Sequence, residues 1–370
     1  DSGGGTGTSA TATRALSFFP TTGLVPGVVF LDAYVFVGTP SGRVYNCNVG
    51  NPIIWNPIDY ITAEAESDNS VGIVKHLNYL LNFGQWSTEF FYDNGNQIAS
   101  PLNAATAYKI EIGCAAGDSI VQFEQTVAWI GTSLASGTGV YLLDGTAPAR
   151  ISTSYIDRIL GNSNLSKVLA YAFKINGHMF YVMTLHDINT TLVYDFNEKT
   201  WYNWTMWSPG NADTGAAAGI YGEQYFRPSY FTKVNNDYYF LDDDLGIIYK
   251  LADTYYTDAG APIYYRIVTD IEDSGSTKRK FYQRLEIVGD KIPAIMKIRH
   301  TGNDYQTWSN FRAVDLSKPR AQIYLGGSDR RRAWEFLCTD PQPLRLDAAE
   351  IDFKIGEIEN EAMQPAQYRK

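Results

Sequence analysis

The chain has 370 residues, of which 45% are hydrophobic and 19% are charged, a composition typical of globular proteins that are large enough to bury a core. Its formal net charge of −10 at pH 7 argues against non-specific binding to DNA, because proteins usually hold nucleic-acid phosphates with a basic face. No apolar run approaches the roughly 20 residues that span a bilayer, so no membrane segment is predicted.

The chain opens with the small-residue stretch DSGGGTGTSATAT. Such residues cannot bury enough apolar surface to fold, so residues 1–20 are predicted to form a flexible N-terminal segment. From residue 21 onward, β-branched and aromatic runs such as VVFLDAYVFVG and HLNYLLNFG alternate with turns, and helical periodicity is scarce. The sequence therefore predicts an all-β fold.

A tyrosine recurs on an outer hairpin strand through residues 21–258. Successive members of this series are 47 to 55 residues apart, and they are Tyr45, Tyr92, Tyr141, Tyr194 and Tyr249. A step of about 50 residues that holds three or four strands matches one blade of a β-propeller, in which stacked sheets bury aromatic side chains between them. We therefore predict a β-propeller of about five or six blades over residues 21–258.

Three short sequences predict tight hairpin turns, because Asn, Asp and Gly accept the left-handed backbone that such turns need. They are DNG at 93–95, ING at 175–177 and VNND at 234–237. The longer Gly- and Ala-rich stretch SPGNADTGAAAG at 208–219 predicts a mobile loop that contacts neighbouring subunits or narrows a channel.

The pattern changes after residue 258. Runs such as RLEIV and MKIRH alternate apolar and polar residues, which indicates half-exposed antiparallel strands. Residues 259–358 are predicted to form either a closing blade with extensions or a small β-sandwich. Residues 359–370 are predicted to be an exposed tail.

No conventional catalytic or metal-binding pattern occurs in the chain. The four histidines are scattered without the paired spacing of metal ligands, and neither a GxSxG elbow nor a phosphate loop is found. The acidic run LDDDLG at 241–246 lacks the spacing of a calcium loop and is interpreted as a solvated turn. We therefore assign no catalytic residue, no cofactor and no metal ligand, although the paired carboxylates of a glycosidase meet in space and leave no sequence signature.

The three cysteines are too few and too far apart for a disulfide framework. Cys47, Cys114 and Cys338 each lie in an apolar or strand-like context. They are predicted to be reduced residues of the core.

Two basic clusters remain, STKRKFYQR at 276–284 and SDRRRAW at 328–334. Exposed hairpin charges that protect sheet edges are the simplest interpretation. A subunit interface is a second interpretation, because arginine pairs in a bidentate manner with acidic surfaces of a neighbour. The candidate interface residues are Arg330, Arg331 and Arg332, and contact with DNA phosphates is a third interpretation.

A long ordered motif runs through GQWSTEFFYDNGN at 84–96 and IEIGCAAGDSIVQFEQTVAWIGTSLASGTGVYLLDGTAPARISTSYIDRIL at 110–160. It resembles the stabilisation proteins of the head-to-tail connector of short-tailed phages, which have an aromatic strand with STE, a G-C-A-A/P-x-x-S turn, a tryptophan strand and a RIST exit. The region from Lys278 to Trp334 is similar to the end of such proteins. The matching motif positions are Ser87, Glu89, Gly113, Cys114, Ala115, Ser119, Trp129, Arg150, Ile151, Ser152 and Thr153.

The resemblance implies a structural virion protein of a phage tail and not an enzyme. It implies a homo-oligomer, with a hexamer expected, that forms a ring below the portal and adaptor proteins. This ring would hold packaged DNA in the head, form part of the channel through which DNA passes without sequence-specific contact, and carry tail spikes, fibres or a needle. The protein would be made in the host cytoplasm and reside in the virion.

Two other interpretations stay open. A tail nozzle protein shares the propeller plan but lies farther from the head. A glycan-binding or glycan-cleaving propeller would use clustered aromatic residues and two carboxylates in its central depression. The fold alone does not decide among these functions.

Overall fold

A computed structural model of the protein describes residues 18–20, 23–64, 66, 68–96, 98–207, 223–242, 245–324 and 326–356. The predicted loop at 208–219, the predicted tail at 359–370 and most of the predicted N-terminal segment lie outside these residues. The chain divides into two compact units. The N-terminal unit contains residues up to 204 together with 225–235 and 239–248, and the C-terminal unit contains 205–224, 236–238 and the residues from 249 onward.

Five antiparallel sheets follow one another from residue 28 to residue 251, and their strands pair mainly in chain order. The first sheet comprises β1 (Val28–Leu31), β2 (Tyr34–Gly38), β3 (Arg43–Asn48) and β4 (Asn51–Thr62). The second comprises β5 (Ser70–His76), β6 (Tyr79–Gly84), β7 (Thr88–Asp93) and β8 (Leu102–Ala104).

The next three sheets contain the predicted motif and the strands that follow it. The third sheet comprises β9 (Gly113–Cys114), β10 (Val121–Phe123), β11 (Thr126–Ser133), β12 (Gly137–Asp144) and β13 (Ala147–Arg150), with β9 pairing to β11. The fourth comprises β14 (Val168–Ile175), β15 (His178–Leu185), β16 (Thr190–Asp195), β17 (Thr200–Trp207) and β18 (Glu223–Tyr225). The fifth comprises β19 (Pro228–Val234), β20 (Asp237–Asp242) and β21 (Ile248–Leu251).

The leading strands of these sheets lie against one another in chain order. Strand β1 contacts β5, β5 contacts β10, β10 contacts β14, and β14 contacts β19. Successive side chains of a strand point to opposite faces, so one strand supplies two neighbouring cores. On β11, Trp129 packs with Phe83 of the second sheet, whereas Ile130 packs with Met183 of the fourth. The third sheet therefore buries both faces, as the stacking of propeller blades requires.

The predicted tyrosine series occupies an equivalent place in every sheet. Tyr45 lies in β3, Tyr92 in β7, Tyr141 in β12, Tyr194 in β16 and Tyr249 in β21. Each of these is the third strand along the main path of its sheet. The predicted repeat of about 50 residues is therefore confirmed, with one sheet for each repeat.

Two of the three predicted hairpin turns are confirmed. Asn176, with a φ angle of 50°, lies in the turn between β14 and β15, and Asn235, with a φ angle of 56°, lies between β19 and β20. The prediction of a tight turn at DNG was wrong, because β8 begins only at residue 102. The Asp93 carboxylate accepts a hydrogen bond from the Gly95 amide at 2.7 Å, and this local turn starts a longer loop.

The C-terminal unit contains two antiparallel sheets that share one core. One sheet has the order β24 (Tyr265–Val268), β30 (Ala333–Cys338), β26 (Ile295–Thr301), β27 (Arg312–Asp315). In the other, β25 (Lys280–Gly289) pairs with β28 (Ala321–Tyr324), β29 (Ser328–Asp329) and β31 (Leu346–Ile355). The short strands β22 (Thr257–Asp258) and β23 (Ala261–Pro262) pair separately. Leu285, Met296 and Phe336 belong to the shared core, so the two sheets pack against each other through apolar side chains.

Helical structure is sparse in the described part of the chain. The α-helix α1 covers Ser154–Gly161, and single 3₁₀ turns cover Thr106–Tyr108, Gly117–Ser119, Leu165–Lys167 and His186–Ile188. Ile156 and Leu160 lie one turn apart on α1 and are both buried. None of the described helices is long and apolar enough to cross a membrane.

Candidate functional site

The motif residues lie along the second and third sheets and at the start of α1. We call this set the signature seam, and it consists of Ser87, Glu89, Gly113, Cys114, Ala115, Ser119, Trp129, Arg150, Ile151, Ser152 and Thr153. Their contacts show what the motif does in the folded chain.

Trp129 forms the centre of the signature seam, between the second and third sheets. Its side chain is fully buried, and its ring lies 5.2 Å from the ring of Phe83 and 5.9 Å from that of Tyr141. The indole Nε1 donates a hydrogen bond to the Gly113 carbonyl at 3.0 Å. Gly113 has no room for a side chain, because a Cβ would overlap the backbone nitrogen of Trp86. Close packing of the two sheets therefore requires both the tryptophan and the glycine.

Ser119 connects the third sheet to the fourth. Its buried hydroxyl donates a hydrogen bond to the Ala116 carbonyl at 2.6 Å and accepts one from the Ile130 amide at 2.9 Å. Its carbonyl accepts a hydrogen bond from the Tyr181 hydroxyl of β15 at 2.9 Å. Burial raises the pKa of Tyr181 far above its usual range, so the phenol remains a hydrogen-bond donor at every physiological pH.

Ser87 ties the turn before β7 to the segment that precedes β5. The Asp68 carboxylate accepts hydrogen bonds from the Trp86 amide at 2.8 Å and from the Ser87 amide at 3.2 Å. Glu89 follows on β7 and is buried, with 7% of its surface exposed. The Ser87–Glu89 part of the motif therefore organises the second sheet.

The RIST exit forms the N-terminal cap of α1. The Thr153 Oγ1 accepts a hydrogen bond from the amide three residues later at 3.4 Å, as N-cap threonines do. The Ser152 hydroxyl donates to the Asp157 carboxylate at 2.6 Å, and Arg150 forms an ion pair with the same carboxylate at 2.9 Å. The Ile151 carbonyl accepts a hydrogen bond from an indole of β17 at 2.8 Å. This segment therefore holds α1 to the third and fourth sheets.

The cysteine of the signature seam is not a reactive group. All three cysteines are free and buried, as predicted. Burial raises the pKa of the Cys114 thiol to about 12, so the thiol stays protonated and is a poor nucleophile at neutral pH. The contacts of the signature seam thus support a packing role.

The three consecutive arginines of the C-terminal unit have different environments. Arg332 is buried, and its guanidinium carbon lies 3.7 Å from the ring centre of Tyr282 and 4.9 Å from that of Trp334. Arg330 and Arg331 are exposed. Because Arg332 is engaged inside its own unit, only the other two remain candidate interface residues.

The structure also brings together a polar group that the sequence did not reveal. The group consists of His178, Asp195 and Glu198. One nitrogen or oxygen atom from each side chain lies within 4.8 Å of the corresponding atoms of the other two. The spacing of the histidines in the sequence did not indicate this group, because the partners of His178 are carboxylates on a neighbouring strand and turn. Pairing of β15 with β16 brings these side chains together. The group could therefore be found from the sequence only by predicting the register of this hairpin.

A family model described as the β-propeller of bacteriophage P22 Gp10 matches residues 7–256. The chain belongs to this family. It is therefore a structural protein of a phage particle, and the β-propeller predicted from the tyrosine repeat is confirmed. The matched region contains the whole signature seam. No curated protein matches the chain.

Several solved structures are similar to this chain at low identity. The computationally designed Ika8 protein is 13% identical with a TM-score of 0.33, and the match covers 60% of this chain and 56% of that one. BamB from Moraxella catarrhalis is 11% identical with a TM-score of 0.30, over 84% and 82% of the two chains. An exo-beta-1,3-galactanase from Phanerochaete chrysosporium is 10% identical with a TM-score of 0.28, over 88% and 79%. TM-scores this low support no conclusion about function.

Proposed function

We propose that this protein forms a ring below the portal and adaptor of a short phage tail, where it helps to retain packaged DNA. The family match over residues 7–256 is the observation that carries the proposal. The ring is a homo-oligomer, expected to be a hexamer, and it carries tail appendages such as spikes, fibres or a needle. The protein acts through its geometry and not as an enzyme.

The contacts of the signature seam support a stiff component. Trp129 and Ser119 link three sheets through buried rings and hydrogen bonds. Close-packed interiors of this kind resist deformation and transmit strain. A ring made of such subunits would keep a channel of fixed width.

The excess of acidic residues in the N-terminal part of the chain supports the proposal that DNA passes through the channel without binding tightly to the protein. Residues 1–248 contain 22 Asp and Glu but only 11 Lys and Arg. Proteins that bind DNA without sequence preference do so by neutralising phosphates with lysine and arginine. An acidic excess would weaken such contacts and let the duplex slide.

Closed rings need two complementary patches on every subunit. We propose that the exposed Arg330 and Arg331 belong to one patch and pair with acidic groups of the neighbouring subunit. Arg331 already forms an exposed ion pair with Asp304 of its own chain. Exposed pairs of this kind contribute little to stability, so the guanidinium can exchange this partner for one on the neighbour. The contacts of the buried Arg332 fix the backbone on which both arginines stand.

Cryo-electron microscopy of the phage particle, averaged with sixfold symmetry at the portal vertex, tests the position. We expect the five sheets of residues 28–251 to fit density directly below the adaptor. Density at the far end of the tail would show a nozzle instead, and absence from the tail would refute both positions.

Charge reversal tests the proposed patch. We expect the Arg330→Glu/Arg331→Glu variant to reduce the yield of complete tails by about tenfold or more, because like charges would then face each other. The matched control is Lys318→Glu/Arg320→Glu, which reverses two exposed cations of the same unit. Equal yields from the two variants would exclude this patch and leave the position in the tail unaffected.

A further inference from the structure

The cluster of His178, Asp195 and Glu198 contains residues from two strand ends and one turn of the fourth sheet. His178 is the first residue of β15, Asp195 is the last residue of β16, and Glu198 lies in the turn that leads to β17. The His178 Nδ1 lies 2.7 Å from the Asp195 Oδ2. Antiparallel pairing of β15 with β16 fixes this arrangement, because Phe180 is the register partner of Asp195.

Local contacts hold two of these side chains in place. Asp195 is 3% exposed, and its Oδ1 accepts hydrogen bonds from the Asn197 amide at 2.8 Å and the Glu198 amide at 3.3 Å. The His178 ring lies 6.0 Å from the Phe180 ring with only 12° between the planes. The cluster is therefore preorganised, which reduces the entropy lost when a ligand binds.

The cluster has an excess of negative charge. Asp195 and Glu198 bring two carboxylates close together, and Glu198 Oε2 accepts a hydrogen bond from the Tyr202 hydroxyl at 2.5 Å. Within the part of the chain that the structure describes, neither carboxylate forms an ion pair with a lysine or arginine. Two nearby carboxylates without a fixed cation favour the binding of a positive ion.

The donor set selects the kind of ion. One imidazole nitrogen with two carboxylate oxygens suits the first-row divalent transition metals, whereas Ca²⁺ and Mg²⁺ prefer oxygen ligands alone. Zn²⁺ binds nitrogen and oxygen ligands at about 2.0–2.2 Å, so the ligand atoms of one ion lie about 2.8–3.6 Å apart at right or tetrahedral angles. The 2.7 Å between His178 Nδ1 and Asp195 Oδ2 therefore needs to widen by less than about 1 Å. Rotation of the exposed Glu198 side chain closes the remaining distance.

We propose that His178, Asp195 and Glu198 bind one divalent transition-metal ion, with Zn²⁺ the best-suited member of the class. Three protein ligands leave a further coordination position for water or another donor. The metal links β15, β16 and the following turn, and it thereby stabilises the outer part of the fourth sheet. This site does not depend on the proposed position in the tail.

Isothermal titration calorimetry of the full chain with ZnCl₂, after removal of any affinity tag, tests the proposal. We expect one strong Zn²⁺ site for each chain. His178→Gln and Asp195→Asn should each weaken binding by about tenfold or more, because each replaces one of the three ligands with a neutral amide, which is a weaker ligand for Zn²⁺. His186→Gln is the matched control, because His186 follows the other end of β15, outside the cluster, and should leave the affinity unchanged.

If the His178→Gln and Asp195→Asn variants fold poorly, Glu198→Gln provides a second test of the Zn²⁺ site. The amide oxygen of glutamine can still accept the Tyr202 hydrogen bond, so this exposed variant removes charge with little structural change. We expect it to weaken Zn²⁺ binding and to abolish the rise in the unfolding temperature that Zn²⁺ causes in the unmodified chain. Absence of a Zn²⁺ site, or a site unaffected by His178→Gln and Glu198→Gln, would overturn the proposal and leave a plain histidine–aspartate hydrogen bond.

Discussion

The two units of the chain differ in the sign of the charges that they bury. In the described part of the N-terminal unit, the buried side chains that carry full charge are carboxylates such as Asp195, which is satisfied by backbone N–H groups and His178. The C-terminal unit buries the cations Lys280 and Arg332 as well as Glu335. Lys280 donates to three backbone carbonyls at 2.5, 3.2 and 2.6 Å, which are those of Ser276, Lys278 and Arg330.

This difference follows the composition of the two parts. Residues 1–248 have twice as many acidic as basic residues, whereas residues 249–370 contain 18 acidic and 19 basic residues. In the N-terminal unit, amides and His178 satisfy the buried Asp195, and Arg227 pairs with the buried Asp242 at 3.7 Å. The C-terminal unit therefore buries lysine and arginine side chains, which the described part of the N-terminal unit does not.

The largest expected effect comes from removal of the buried carboxylate Glu335. It is fully buried and pairs with Arg266 at 2.8 Å and with Arg299 at 2.6 Å. Glu335→Ala should lower the free energy of unfolding by about 3–5 kcal/mol, because it removes the buried carboxylate with which two partly buried guanidinium groups pair. Urea unfolding of the purified chain measures this loss.

An exposed ion pair of the same unit provides the control for Glu335. Arg345 pairs with Asp347 at 3.2 Å while both side chains remain largely exposed. Arg345→Ala should change the free energy of unfolding by less than about 1 kcal/mol. Similar losses from both variants would contradict the distinct role of buried charge in this unit.

A smaller effect is expected at the signature seam of the N-terminal unit. Trp129→Phe removes the indole hydrogen bond to Gly113 and leaves a small cavity beside Phe83. The expected cost is about 1–3 kcal/mol of unfolding free energy, because a buried carbonyl loses its donor. Trp86→Phe is the matched control, since Trp86 is 42% exposed, and a cost as large as that of Trp129→Phe would refute the packing role of the signature seam.

The smallest predicted effect concerns the response of the C-terminal unit to acid. Burial, together with the charge of Arg332, lowers the pKa of His300 to about 4, against about 6.5 in an unfolded chain. Between these values the unfolded chain binds more protons, so the contribution of His300 makes the folded state less stable as pH falls from about 6.5 to about 4. His300→Gln should therefore reduce the loss of thermal stability between about pH 7 and pH 5.

Asp258 should act with the opposite sign in the same unit. Burial raises its pKa to about 6, so the folded chain binds more protons than the unfolded chain between about pH 4 and pH 6. Its contribution to stability is therefore present at low pH and is lost as pH rises through about 6. Asp258→Asn should enlarge the net loss of stability on acidification, and equal pH profiles for this variant and for His300→Gln would contradict these assignments.

Much of the N-terminal fold could be predicted from the sequence, because a propeller repeats one local pattern. The tyrosine that recurs from Tyr45 to Tyr249 marks the third strand of each sheet, and no long-range contact is needed to find it. Residues 259–358 have no such repeat in the sequence. A closing blade and a sandwich both need alternating strands, so the sequence left these two alternatives open.

The candidate sites were harder to predict because they depend on contacts between distant residues. Arg330, Arg331 and Arg332 look equivalent in sequence, yet Arg332 is buried because the rings of Tyr282 and Trp334 meet around it. The motif residues of the signature seam could be recognised as a set, but their packing role became visible only from the hydrogen bonds that join the sheets.

We propose that the protein is a ring component of a phage tail. Quantitative mass spectrometry of purified virions, calibrated against the portal protein, tests it most directly. We expect about six copies of this chain in each particle, as a closed sixfold ring requires. Its absence from purified virions would contradict the claim.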